Sequence, residues 1–229
     1  NERPNVVLIL ADDMGWGDFG FMGSKTIRTP NLDKLAAEGA LFPNAYVPTP
    51  LCRASHATFL TGLYAHEHRV CTNSRNGIGL QDVPTIQSIL KKSGYRTLQA
   101  GKFWEGTYKT GGFTEGTKTV SSLKNADNKP EWLRKGRDIT GPSRDFLDKY
   151  EGEPFFIFAA PVIPHVPHNP PASILKSYLE SGLNQEEAHY AAMCACLDRE
   201  IGGWLVMLED KRHRRQTLVI FAVDNGWVM

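Results

Sequence analysis

Val6-Val7-Leu8-Ile9-Leu10-Ala11-Asp12-Asp13 sets an unbroken apolar run, rich in branched side chains, directly against two carboxylates. A run this short, without the alternation of a half-exposed strand, reads as a strand buried on both faces. The carboxylates then mark a polar site at its carboxyl end. Two further stretches repeat the pattern: Pro154-Phe155-Phe156-Ile157-Phe158-Ala159, and Thr217-Leu218-Val219-Ile220-Phe221-Ala222-Val223, which runs into Asp224-Asn225-Gly226. Shorter strand candidates are Leu41 to Tyr46 and Arg96 to Ala100. Helical patterns fall between them. Asn31 to Glu38 starts at a capping side chain, Asn31, and Pro84 to Lys92 has proline in its first turn and Gly94 just past its end. The longest, Glu186 to Leu208, puts Tyr190, Met193, Leu197, Ile201, Trp204 and Leu208 on one face at spacings of three or four. Alternating strands and helices predict an α/β fold, a mainly parallel sheet sandwiched by helices, with ligands bound beyond the carboxyl ends of the strands.

Composition narrows the function classes. The 229 residues are 41% hydrophobic, enough for a sizeable core, and carry a net charge of +1 with 22% charged residues. That balance gives no footprint for nucleic acid; the densest basic run, Lys211 to Arg215, reads as a solvated turn. No apolar stretch approaches the ~18 residues of a membrane span. Cys52, Cys71, Cys194 and Cys196 are too few for a disulfide scaffold, and the last two, two apart in a helical pattern, read as small core residues. Residues 107–138, rich in Gly, Lys, Thr and Asn, form a surface excursion beside the site. The chain starts at Asn1 rather than Met, so export stays open. Trp227-Val228-Met229 follow the last polar pair without a capping element, as in a truncated sheet. An exposed sheet edge of that kind predicts that the 229 residues alone are poorly stable or inactive.

The candidate chemistry sits in Asp12 and Asp13, in Asp224 and Asn225, and in Cys52 between them in sequence. A lone Asp-Asp pair is an ordinary turn or cap. A second acidic cluster at the end of another buried strand changes that reading, because like charges gathered there require a cation. Oxygen-only donors suit Ca²⁺, with Mg²⁺ as the alternative, rather than zinc.

Pro50-Leu51-Cys52-Arg53-Ala54-Ser55-His56-Ala57-Thr58-Phe59-Leu60-Thr61-Gly62-Leu63-Tyr64 resembles the motif of the type I sulfatase family. In that motif a cysteine is followed by a small residue or proline at the second place, serine at the third and usually arginine at the fourth, on a helix closing in Leu-Thr-Gly. Cys52, Ser55, Leu60, Thr61 and Gly62 match. The resemblance extends over Asn5 to Asp18, Thr29 to Ala36, Ala100-Gly101-Lys102, Pro164-His165-Val166-Pro167 and Asp224-Asn225-Gly226, nearly the whole chain. It implies an alkaline-phosphatase-like α/β fold, with residues 1–229 as an incomplete N-terminal catalytic domain lacking the C-terminal subdomain.

The resemblance also implies a sulfuric ester hydrolase that cleaves a sulfate monoester through a metal-bound formylglycine diol derived from Cys52. Asp12, Asp13, Asp224, Asn225 and the matured residue 52 are the implied metal ligands. Lys102 matches the lysine that binds sulfate as a compact point charge. His165 matches the histidine placed to protonate the leaving oxygen or hold the sulfate. His168 is a further candidate for the pocket, with Trp104 and residues 107–116 facing the leaving group; Ser55 is expected at the helix start or in maturation, and His66 and His68 in structural roles. Implied partners are a sulfated small molecule or glycan, and a formylglycine-generating or anaerobic sulfatase-maturating enzyme. Implied localisation is periplasmic or secreted, with a cytoplasmic placement as the alternative.

Three positions depart from the family pattern. His56 stands where arginine is usual and cannot be assumed to do its work; Ala54 replaces proline; Glu105 lies near the place of a second histidine and could meet a cationic or hydroxyl-rich substrate. Two other readings therefore stand beside sulfatase: a phosphomonoester, phosphodiester or phosphonate hydrolase on the same fold, and a non-catalytic sulfatase-like binding protein.

Overall fold

The computed structural model describes residues 3–74, 79–80, 82–117, 136–210 and 216–226. The expected basic turn at residues 211–215, most of the expected excursion and the last three residues lie outside these. Five strands form one sheet: β1 (Asn5–Ala11), β2 (Arg96–Gly101), β3 (Glu115–Gly116), β4 (Phe155–Ala160) and β5 (Thr217–Val223). They pair in parallel in the order β3-β2-β4-β1-β5.

The α-helices that lie wholly within the described residues are α1 (Pro30–Glu38), α2 (Cys52–Thr61), α3 (Ala65–His68), α4 (Ile86–Lys92), α5 (Thr140–Lys149), α6 (Ala172–Leu179) and α7 (Gln185–Asp210). Both faces of the sheet are covered, which is why β1 and β4 are apolar at nearly every position. On one face Val7, Ile9, Phe155 and Ile157 pack with Leu32 of α1, Phe146 of α5, Tyr178 of α6 and the buried face of α7. On the other, Leu8, Leu10, Phe156 and Phe158 pack with Leu60 of α2 and the loop residues Phe103 and Phe113. Every residue of the predicted α7 face is buried, from Tyr190 to Leu208. Among the described residues no helix is long and apolar enough to cross a membrane.

Two expectations need correcting. Leu41 to Tyr46 is not a strand but an exposed segment with a turn, Ala45 N–H bonding Phe42 O at 3.2 Å. Pro43 has no N–H for a ladder, and the apolar side chains project outward, with Phe42 76% and Tyr46 90% exposed. Asn31 is not the cap of α1, which begins one residue earlier at Pro30. Its amide bonds Asp198 of α7 at 2.8 Å, and the same carboxylate accepts the Leu32 N–H at 2.8 Å. The free amides of the helix start are thus satisfied from the neighbouring helix rather than by a local cap.

The parallel register carries the polar strand ends to one edge. Asp224 N–H donates to Ala11 O (3.0 Å), Asp12 N–H to Ile163 O (3.1 Å), His165 N–H to Asp12 O (3.0 Å), and Lys102 N–H to Ala160 O (2.6 Å). Gly101 permits the last of these contacts: its φ is +87°, and a Cβ there would fall 2.2 Å from the Ala160 carbonyl oxygen.

Candidate active site

Helix α2 brings residue 52 to these strand ends. Its first turn is packed inside the protein, with Cys52 through Ala57 all buried, and Cys52 is its first residue. The Leu-Thr-Gly ending has a local cause: Gly62 takes the left-handed conformation (φ 70°) and returns its N–H to Thr58 O at 2.8 Å, closing the helix. His68 secures α3 against α2. Its Nδ1 accepts from Val70 N–H, so Nε2 carries the proton and donates to Thr58 Oγ1 at 3.1 Å.

Asp12, Cys52 and Asp224 each place one ligand atom within 4.8 Å of the others, as do Asp12, Asp13 and His165. Asp12 and Asp224 are 1% and 0% exposed. Asp224 Oδ1 accepts Asp13 N–H at 3.2 Å, and Asn225 Nδ2 donates to Asp13 Oδ1 at 2.8 Å. Lys102 Nζ meets Asp12 Oδ1 at 2.6 Å and lies 5.3 Å from the centroid of the Trp104 ring. His56 Nε2 lies 3.4 Å from Asp224 Oδ2, beyond a well-formed hydrogen bond, and its ring stands edge-on to Phe158. His165 Nε2 approaches Asp13 Oδ2 at 3.6 Å, while its Nδ1 faces Val166 O. The structure thus brings together Asp12, Asp13, Cys52, His56, Lys102, His165, Asp224 and Asn225.

The donor set fits a hard divalent cation. Asp12 and Asp224 share the charge of one lysine, and Asp12 Oδ2, Asp224 Oδ2 and Asn225 Oδ1 are buried with no hydrogen-bond partner among the described residues. Buried acceptors of that kind are costly unless a cation engages them. Burial opposes charge on Lys102, yet Asp12 and then Asp224 outweigh it and push its pKa up, so the ammonium persists. Burial also pulls at Asp224, but the contact with His56 and then the charge of Lys102 bring its pKa below the usual range. Cys52 goes the other way: burial first, and the surrounding carboxylates after it, raise the thiol, with only Lys102 opposing. An unmodified thiol in this position is a poor source of nucleophile.

Glu105 does not join this group. It grips Arg53, the second residue of α2, through Nε to Oε1 at 2.7 Å and Nη2 to Oε2 at 3.1 Å; Arg53 also bonds Ser74 O, and its N–H donates to Asn73 Oδ1. The fork ties the start of α2 to the segment following Lys102. Nothing in the motif assigned Arg53 a role, and its partner lies 52 positions away, beyond any local pattern. Because both side chains are largely buried, Glu105→Gln is expected to cost about 3–5 kcal/mol by leaving the guanidinium uncompensated. Urea unfolding measures it, and a double-mutant cycle with Arg53→Met should show that the two losses are not additive.

His168 is half-buried with its ring centroid 5.4 Å from that of Tyr190. Arg137 clasps the segment carrying both loop histidines, bonding Val162 O, Pro167 O and Asn169 Oδ1. Sequence reasoning also missed Tyr190 beyond its core position: its hydroxyl reaches Asp13 O and Asp18 Oδ2.

A parallel α/β sheet with buried carboxylates gathered at its carboxyl edge, and Cys52 at a helix start beside them, places the candidate site where sheets of this class bind their ligands. The chain belongs to the Sulfatase family, whose family model matches residues 4–229. It is 30% identical over 269 residues to the N-acetylgalactosamine-6-sulfatase of Homo sapiens, covering 98% of this chain and 50% of that protein. The chain thus spans about half the length of the curated relatives it matches. Among solved structures it superposes on Ps i-CgsB, crystallised with k-i-k-neocarrahexaose, at a TM-score of 0.83 and 27% identity over 99% of this chain and 59% of that one. The phosphonate monoester hydrolase of Agrobacterium radiobacter shares the fold at a TM-score of 0.74 and 19% identity, covering 99% of this chain and 64% of that one. The fold is alkaline-phosphatase-like.

Proposed function

We propose that the chain is the catalytic part of a longer sulfuric ester hydrolase acting on a sulfate monoester, with sulfated glycans as the substrate class. The observation that carries this reading is that a carboxylate oxygen of Asp12, one of Asp224 and the Cys52 sulfur lie within 4.8 Å of one another, with the buried ammonium of Lys102 on Asp12. Asp12, Asp13, Asp224 and Asn225 would hold Ca²⁺ or Mg²⁺, and Cys52 would be the residue converted to formylglycine by a maturating enzyme. When bound, the cation supplies fixed positive charge against the negative charge that builds as a nucleophile nears an anionic ester.

The remaining work falls to side chains of this chain. Lys102, kept charged by Asp12, binds a sulfate oxygen, and the Trp104 ring limits where its ammonium can swing. His165 stands at the more open side of the site, 30% exposed, where it can hold a proton for the departing alcohol oxygen. His56 is fixed deep in the site against Asp224 and steadies that carboxylate. His168 borders the same side. Glu105, held by Arg53, acts on the pocket by setting the segment after Lys102. A glycan substrate is supported by the names of the related N-acetylgalactosamine-6-sulfatase and of the oligosaccharide in the Ps i-CgsB structure; it also goes with action outside the cytoplasm.

A phosphonate hydrolase on the same fold presents a similar tetrahedral anion, so the fold leaves sulfur and phosphorus to be separated by rates. With the full-length protein matured by co-expression, kcat/KM for an aryl sulfate is expected to exceed that for the matching aryl phosphate. A strong phosphate preference would remove this reading.

A further inference from the structure

Tyr190 lies in the second turn of α7, buried among apolar residues, yet its hydroxyl leaves the core and touches the loop that follows β1. It lies 3.2 Å from the carbonyl oxygen of Asp13 and in short contact with Asp18 Oδ2. The same Asp18 oxygen accepts the Gly15 N–H at 2.7 Å, and Asp18 N–H returns to Gly15 O at 3.2 Å. Asp18 and Tyr190 therefore close the loop from Asp13 to Asp18 into one hydrogen-bonded unit tied to the long helix.

That unit begins at an unusual backbone. Asp13 has a φ of +68°, one of two non-glycine residues in the left-handed region among those described. An L-residue keeps that conformation only when its surroundings enforce it. The conformation matters because it directs the Asp13 carboxylate to Asn225 Nδ2 and toward His165, while the Asp13 N–H reaches Asp224 Oδ1. The single hydroxyl proton of Tyr190 goes to Asp18 Oδ2 in the shorter contact, so α7 holds this residue through the Asp18–Gly15 loop, with the hydroxyl oxygen seated against the Asp13 carbonyl.

We propose that Tyr190 and Asp18 form a positioning pair for the cation site: without touching ion or substrate, they hold Asp13 in its left-handed conformation and so keep its carboxylate beside Asp12, between Asn225 and His165, and its N–H on Asp224. The proposal rests on the reading that these oxygens bind a divalent cation. Groups that orient metal ligands in this way typically change affinity by about 10–100-fold when removed.

The test is calcium titration calorimetry on the ion-free full-length protein, with thermal unfolding of the ion-free state measured alongside. Tyr190→Phe keeps the ring against His168 and removes only the hydroxyl; its calcium Kd is expected to rise about tenfold. Asp18→Ala should do the same, whereas Asp18→Asn, which keeps an acceptor oxygen, should restore affinity to near the wild-type value. Should Tyr190→Phe fold poorly, the Asp18 pair decides alone. Variants that melt earlier but bind calcium as tightly as the wild type overturn the proposal, since that is what a purely structural contact predicts. A wild-type protein that binds neither calcium nor, in a parallel titration, magnesium overturns the cation reading and this proposal together, whereas equal binding by wild type and variants overturns this proposal alone.

Discussion

Replacing Cys52 with alanine in the full-length protein is expected to lower kcat/KM for a sulfate ester by about 10⁴-fold or more, the scale on which loss of a nucleophile acts. Alanine suits the first position of a buried helix, so folding should survive the change. The size of the effect follows from the environment of the thiol. Burial and three neighbouring carboxylates raise the thiol, which disfavours the thiolate as nucleophile and accords with the proposed conversion of Cys52. Mass spectrometry of the tryptic peptide containing residue 52 should show loss of the thiol after co-expression with a maturating enzyme. Sulfate-ester cleavage by a protein whose Cys52 remains an intact thiol would contradict the assignment.

Lys102→Met should act on stability and on chemistry at once. Methionine nearly fills the volume of the lysine stem but leaves Asp12 and Asp224 buried without the ammonium that now faces them. Breaking a buried ion pair from one side typically costs about 3–5 kcal/mol. Because a divalent cation supplies charge to the same carboxylates, calcium should recover part of that loss, which separates this variant from a simple packing defect. Turnover should still fall by about 10²–10³-fold with calcium present, as for removal of one charged transition-state contact. Equilibrium denaturation with and without calcium, followed by steady-state kinetics, measures both effects. An unchanged denaturation midpoint in the ion-free protein would show that the Lys102–Asp12 pair does not offset the buried negative charge.

The parts legible in the sequence were those written as local pattern. β1 and β4 are continuous apolar runs because both of their faces are covered, whereas β5, equally apolar, is an edge strand with Leu218 and Ile220 exposed; the polar residues that end β1 and β5 lie where parallel strands stop together. The face of α7 was equally plain from its spacing. Leu41 to Tyr46 misled because it is apolar without being buried; a proline within it was the signal against a strand. The least legible features were contacts across long separations. Arg53 and Glu105 are joined over 52 positions, and Tyr190 and Asp18 over 172, and no periodicity marks either. Glu105 accordingly read as a substrate contact, whereas the structure sets it in a fork with Arg53. Asp13 carried no sign of its left-handed backbone either, because that conformation is imposed by the loop around it rather than by its neighbours in sequence.

A crystal structure of the full-length protein grown with calcium tests the central claim most directly. The account predicts an ion about 2.3–2.6 Å from oxygens of Asp12, Asp13, Asp224 and Asn225, with the side chain of residue 52 turned onto it. An ion bound elsewhere, or residue 52 facing away from those four side chains, would contradict it.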